Sequence, residues 1–141
     1  MLNKNITIEF LKKMGKGYLP EFMEVEILSI EEGKMTSRLS IKSHHIAPNG
    51  FLHAATVIAL ADTTCGYASF AHLPEGAESL CTIELKSNHL GTAREGAIFC
   101  VATAVHLGRN TQVWDAEVSD EKTGKVIALF RCTQMNLFPK K

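Results

Sequence analysis

The chain is short of several things, and each shortage narrows its chemistry. Its 141 residues include four cysteines, at positions 65, 81, 100 and 132, and no two of them form a CxxC pair. That spacing argues against a zinc knuckle and against a small disulfide scaffold, and makes a reduced, cytoplasmic setting the expectation. Charge of one sign is not in excess, because 15 Lys and Arg balance 15 Asp and Glu. Such a balance gives no reason to expect nucleic acid or an anionic membrane as a partner. No window approaches ~18 uninterrupted apolar residues, and the start MLNKNITIEFLKKMGKG lacks the apolar stretch and small-residue cleavage site of a secretion signal. Linkers, repeats and low-complexity segments are also missing. A single domain over 1–141 is therefore expected, neither secreted nor membrane-spanning, with residues 1–17 as an N-terminal helix and turn.

What is present suits a soluble enzyme-sized core: 45% of residues are hydrophobic and 21% charged. Ile6, Phe10, Leu11 and Met14 recur at helical spacing, and Gly15 follows where a helix-ending left-handed glycine would stand. Alternation in Glu24–Ile27 and again in Met35–Ile41, across the Glu31-Glu32-Gly33 turn, predicts two antiparallel strands. The stretch 50–71 has no two-residue period, is rich in Ala and is apolar almost throughout, so it predicts a long buried helix. Four β runs follow, Leu80–Leu90, Ala97–Leu107, Thr111–Ser119 and Lys125–Asn136, joined by connectors with the glycine and polar residues of tight turns. The last three should form a meander. One antiparallel sheet wrapped around one long helix accommodates this order, an α+β hot-dog fold, and the helix should be apolar on every side because the sheet encloses it.

Two residues do not belong in a greasy helix. His53 and Asp62 both lie in NGFLHAATVIALADTTCGYASF, and an unpaired buried charge costs several kcal/mol. They are nine positions apart, so in a helix they point ~180° away from each other and sit ~13 Å apart along the axis. They cannot form a dyad within one chain; if both are functional, a second copy related by a two-fold axis is the most economical source of partners. His53 stands at the helix start, just after Asn49-Gly50, where the N–H groups of Ala54 and Ala55 are expected to point outward as donors for a carbonyl or oxyanion. A structural hydrogen bond would explain His53 equally well, and a buried cap or ion pair would explain Asp62. Cys65 should be inert packing. His44-His45 is read as strand, which turns the two rings to opposite faces and speaks against a metal site. Gly108 and Arg109, at a hairpin tip, are either a solvated turn or a phosphate contact assisted by backbone amides. Thr82, Lys86, Asn88 and His89 share one strand that would line the same cleft.

Taken together these segments resemble a known family. NGFLHAATVIALADTTCGYA resembles the G-x-x-HGG-x-x-x-x-LAD/E-x-x-x-G signature of hot-dog acyl-CoA thioesterases of the PaaI-like, phenylacetate-pathway type. TIELKSNHLGTAREG and AVHLGRNTQVWDAEVSDEKTGKVIALFRCT resemble the later runs of that family, so the likeness spans roughly residues 20 to 137 in order. The resemblance implies an acyl-CoA thioesterase that needs no cofactor. Asp62 would act as general base or nucleophile, the Ala54 N–H would hold the thioester carbonyl, and His53 would bind or polarise the substrate. Asn49, Gly50, Ala55, Asn88, Gly108 and Arg109 would line the substrate, with Gly108 and Arg109 in the region that meets the CoA phosphates. It also implies a homodimer as the minimal active unit, with Asp62 given across the interface, and a homotetramer of two such dimers. Three positions depart from the family pattern: HAA replaces HGG, Ala47 stands where a polar residue is common, and Gly66 stands where some relatives have Ser or Thr. Two rival readings follow, a hot-dog hydratase or dehydratase and a non-catalytic acyl-CoA binding protein.

Overall fold

The structure, a computed structural model, describes residues 1–140. Two short helices open it, α1 (Ile8–Met14) and α2 (Leu19–Phe22). Strands β1 (Glu26–Glu31) and β2 (Lys34–Ser40) follow, then a 3₁₀ turn at Ser43–His45 and the long helix α3 (Ala54–Ala71). Strands β3 (Ser79–His89), β4 (Ala97–Leu107), β5 (Thr111–Asp120) and β6 (Val126–Leu137) complete the chain. All six strands form one antiparallel sheet in the order β1-β2-β4-β5-β6-β3. The meander is β4-β5-β6, and β3 pairs only with β6, which leaves it as an edge. This is the hot-dog arrangement, with α3 laid against one face of the sheet.

Local chemistry explains the elements. Thr7 caps α1, its Oγ1 accepting the Phe10 N–H at 3.1 Å. Gly15 is not the left-handed residue expected, since its φ is −79°. Close packing accounts for it instead: a Cβ at Gly15 would stand 2.5 Å from the Tyr67 hydroxyl oxygen. Gly33 does supply a positive φ, 69°, for the β1–β2 turn. His44 and His45 lie in the 3₁₀ turn and not in a strand, because the His45 ring folds back to accept the Lys42 N–H at 3.0 Å and closes the turn.

The sheet does not enclose α3 on all sides. Val57, Leu60, Ala61, Thr64, Cys65 and Ala68 form its buried half, packed with Met35, Leu39, Ile98, Cys100 and Trp114 in one core. Small side chains there let the helix approach the strands closely, so Leu60→Ala would cost about 2–5 kcal/mol. Ile58, Ala59, Asp62, Thr63, Gly66, Tyr67 and Phe70 fall on the other half and are only partly covered. One flank of that half is shielded by α1, where Phe10 stacks on Phe70 with ring centroids 6.2 Å apart. The apolar residues on this side explain why the helix reads as greasy throughout although the sheet meets only half of it.

Candidate active site

The start of α3 is built by the 3₁₀ turn. The His45 carbonyl accepts the His53 N–H at 3.0 Å and the Thr56 hydroxyl at 3.1 Å, which fixes where the helix begins. His53 is the N-cap residue, and its Nδ1 accepts the Ala55 N–H at 2.9 Å. The Ala55 amide is thus taken by the cap and is not the outward donor that was expected. An Nδ1 that accepts leaves the neutral ring with its proton on Nε2, so His53 presents a donor to solvent. Ala54 is exposed, and its N–H meets no acceptor among the described residues. One backbone donor and one imidazole donor therefore stand together at the positive end of an 18-residue helix.

Asn49 and Gly50 shape the approach to this end. The Asn49 side chain accepts the Phe51 N–H at 3.2 Å, and Gly50 has φ +84°, a conformation suited to glycine. The Asn49 Oδ1 is engaged in its own turn, and Ala47 adds no polar group beside it.

Asp62 lies on the open half of α3, half-buried. Burial pushes its carboxyl above the ordinary carboxylate range, and the Thr82 hydroxyl, 3.4 Å from Oδ1, partly opposes that rise. No Lys or Arg pairs with it among the described residues. Thr82 reaches this place through a β-bulge. Glu84 faces Thr133 and Thr82 faces Gln134, so Ile83 is one residue more than β6 matches. The extra residue reverses the alternation and turns Thr82, not Ile83, toward α3. Simple alternation along CTIELK hides this, which is why strand periodicity singles out Thr82 only as one of four residues on a common strand. The Cys65 thiol is held well above its usual range by its hydrogen bond to Cys132 and by burial, so it stays protonated and inert.

The remaining candidates fall elsewhere in the single chain. Lys86 and Asn88 lie on the outer face of the sheet, in a depression of about 670 Å³ with Thr103, Asp115, Glu117 and Arg131. Asn88 is thus on the opposite side of the sheet from Asp62. The Gly108 N–H donates to the Thr111 carbonyl at 2.9 Å, so it closes the hairpin and is not open to a phosphate. A Cβ at Gly108 would stand 2.9 Å from the Thr111 carbonyl oxygen, backbone that cannot swing aside, which favours glycine there. Arg109 is exposed and stacks over Phe138 at 4.8 Å. Its hairpin is anchored by Gln112 to the carbonyls of Ser69 and His72, at the end of α3 remote from His53.

Comparison with known proteins agrees with this architecture. Residues 49–127 match the family model described as the Thioesterase superfamily. The chain is 32% identical over 115 residues to a 1,4-dihydroxy-2-naphthoyl-CoA hydrolase of Listeria monocytogenes, covering 82% of this chain and 92% of that protein. It is 31% identical over 130 residues to the protein of the same description from Escherichia coli, covering 92% and 94%. A crystal structure of a mutant thioesterase from Pseudomonas aeruginosa superposes with a TM-score of 0.90 at 26% identity, covering 96% of this chain and 97% of that one. A sheet laid along a long helix, a family model spanning more than half of the residues, and relatives matched over most of both chains lead to one conclusion: the chain belongs to the hot-dog Thioesterase superfamily and is a thioester hydrolase.

Proposed function

We propose that the substrate is an acyl-CoA thioester and that Asp62 is the catalytic base or nucleophile. The observation that carries this reading is the Asp62 carboxylate: half-buried, without a cationic partner among the described residues, and the one charged side chain of α3, set on its open half. Such a group is a stronger base than a solvated carboxylate. The Ala54 N–H and the His53 Nε2–H would receive the thioester oxygen as negative charge develops on it, while Asp62 activates water or attacks the carbonyl carbon itself. In the water route, cleavage of the C–S bond gives the free acid directly, and the proton Asp62 took from water passes to the leaving thiolate; in the nucleophilic route, C–S cleavage leaves a mixed anhydride on Asp62, and water then hydrolyses it to the free acid and supplies the thiol's proton. The relatives named as 1,4-dihydroxy-2-naphthoyl-CoA hydrolases support a CoA ester as substrate.

Within one chain the two halves of this site point apart. A C₂ dimer reunites them, bringing Asp62 of one subunit to the helix start of the other. Support comes from β3, an 11-residue strand with one side unpaired, and from the exposed apolar Ile83 and Leu85 on that strand and Leu90 just after it. Arg109 is assigned to the CoA phosphates, and two dimers to a tetramer in the cytoplasm.

A thiol-release assay over a panel of acyl-CoAs, with Asp62→Asn as the control, tests the reading. Wild type should release CoA, and the variant should lose ~10²-fold or more of kcat while still binding the ester. Ester binding by the wild type with no release on any panel member would make the chain a binding protein. Sedimentation showing an active monomer would remove the shared site.

A further inference from the structure

Beside Asp62 sits a polar residue that none of the chemistry above uses. Gln134, on β6, is 0% exposed. Its Oε1 is 3.0 Å from the Thr82 hydroxyl oxygen and its Nε2 is 3.4 Å from the Cys132 sulfur. The Thr82 hydroxyl carries one proton and has two acceptors within reach, Gln134 Oε1 at 3.0 Å and Asp62 Oδ1 at 3.4 Å. Both are acceptors only, so they compete for it. The shorter contact holds the proton, and the longer one is a weak bond at the edge of hydrogen-bond geometry.

We propose that Gln134 is a positioning residue for Asp62: by accepting the Thr82 proton, its side-chain carbonyl keeps that proton off the Asp62 carboxylate and leaves the carboxylate free to act as a base. This rests on the reading of Asp62 as the base. A hydroxyl donated fully to Asp62 would stabilise the charged form and weaken it as a base. The bulge at Ile83 aims Thr82 inward, and the register of β3 on β6 places it opposite Gln134. The other titratable neighbours of Asp62 are thiols, Cys65 on α3 and Cys132 on β6. Among the described residues no Lys or Arg of the same chain pairs with Asp62, and the helix-start histidine that the proposed dimer brings to it is unchanged in all four chains of the test.

The test reads the carboxyl directly. A ¹³C NMR titration of the Asp62 side chain in the whole protein, with the pH dependence of kcat/KM on an acyl-CoA beside it, is run on four chains: wild type, Gln134→Leu, Thr82→Val and the double variant. In Gln134→Leu the released proton turns to Asp62, so its carboxyl titration and the acid limb of kcat/KM should both fall by roughly 0.5–1 pH unit. Turnover above that limb should drop ~2–3-fold, in line with a weaker base. In the Thr82→Val background the same Gln134 change should move neither titration, because Gln134 acts only through the hydroxyl. An unchanged Asp62 titration in Gln134→Leu, or an equal shift with Thr82 absent, would overturn the proposal. Should Gln134→Leu fail to fold, Thr82→Val decides alone: a small change upholds the proposal, whereas a rise of about one unit shows the proton was serving Asp62 already. A carboxyl titration that moves while the rate profile stays fixed upholds Gln134's hold on the proton and counts instead against Asp62 as the base.

Discussion

The two ends of α3 are finished differently. At its C-terminal end the Ser69 carbonyl, which also accepts the His72 N–H at 3.0 Å, and the His72 carbonyl both receive the amide of Gln112, a side chain with no exposure. The Gln112 carbonyl accepts the Trp114 indole N–H at 3.0 Å, and its amide also reaches Asn136 at 3.0 Å. Asn136 in turn binds the carbonyls of Gly108 and Arg109. Among the described residues the Ser69 hydroxyl is the one buried side-chain polar atom of this end that lacks a partner. At the N-terminal end the cap is a single exposed histidine, and the amide of Ala54 is left free. A helix terminus closed by a buried network contributes stability; one left open keeps a donor available for a ligand. On the proposed reading, the same helix carries a structural end and a chemical end.

The sharpest way to separate the two is Ala54→Pro. Proline at the first helical position removes only the N–H that has no partner and is tolerated by the backbone there, and His53 already has the extended ψ of 133° that a following proline requires. The expected loss in kcat/KM is ~10²–10³-fold, as for removal of an oxyanion donor, with a melting temperature within a few degrees of wild type. Activity close to wild type would mean that the open end is not chemical at all.

Next in size is the converse at the closed end. Gln112→Leu strands the Trp114 N–H and takes a donor from the carbonyls of Ser69 and His72, and should cost about 2–4 kcal/mol in urea unfolding while leaving turnover per folded molecule within ~2-fold. A loss of rate as deep as that of Ala54→Pro would erase the distinction between the ends.

A smaller effect lies in the turn that supports the open end. The His45 ring is buried, and folding favours its neutral form: burial lowers its pKa, His44 and Lys42 add to that, and Glu24 opposes it. The unfolded chain therefore binds this proton more readily. Stability is full above the ordinary histidine value of about 6.5 and falls as pH drops through and below it, down to the lowered folded value. His45→Gln keeps an acceptor for the Lys42 N–H, as in a capping box, without titrating. It should flatten the acid loss, read by urea unfolding at several pH values between about 7.5 and 5. An unchanged acid loss would place the sensitivity outside this turn.

Much of the architecture was legible in the order of elements. The alternation of β2, the Ala-rich helix and the three-strand meander stand where periodicity placed them, and Asp62 stood out because carboxylates are rare in such helices. Features fixed by tertiary contact were not legible. Gly15 answers to Tyr67, distant in sequence. The His44-His45 turn is closed by a histidine ring, which no cap preference anticipates, and the use of the Ala55 amide by His53 follows from a ring rotamer. Enclosure of α3 was overestimated because its open half is apolar too, and composition cannot tell a face packed on a sheet from one left for α1 and for solvent.

The bulge at Ile83 also bears on how this chain tolerates insertions and deletions. Strand β3 holds one residue more than β6 needs, so losing Ile83 would restore a plain ladder with Thr82 still opposite Gln134 and Leu85 still opposite Cys132. The same loss at Thr133 of β6 would reverse every side chain on one side of the cut. Drift in length is thus absorbed on the edge strand beside Asp62, where a codon can disappear without re-aiming the hydroxyl that faces the carboxylate.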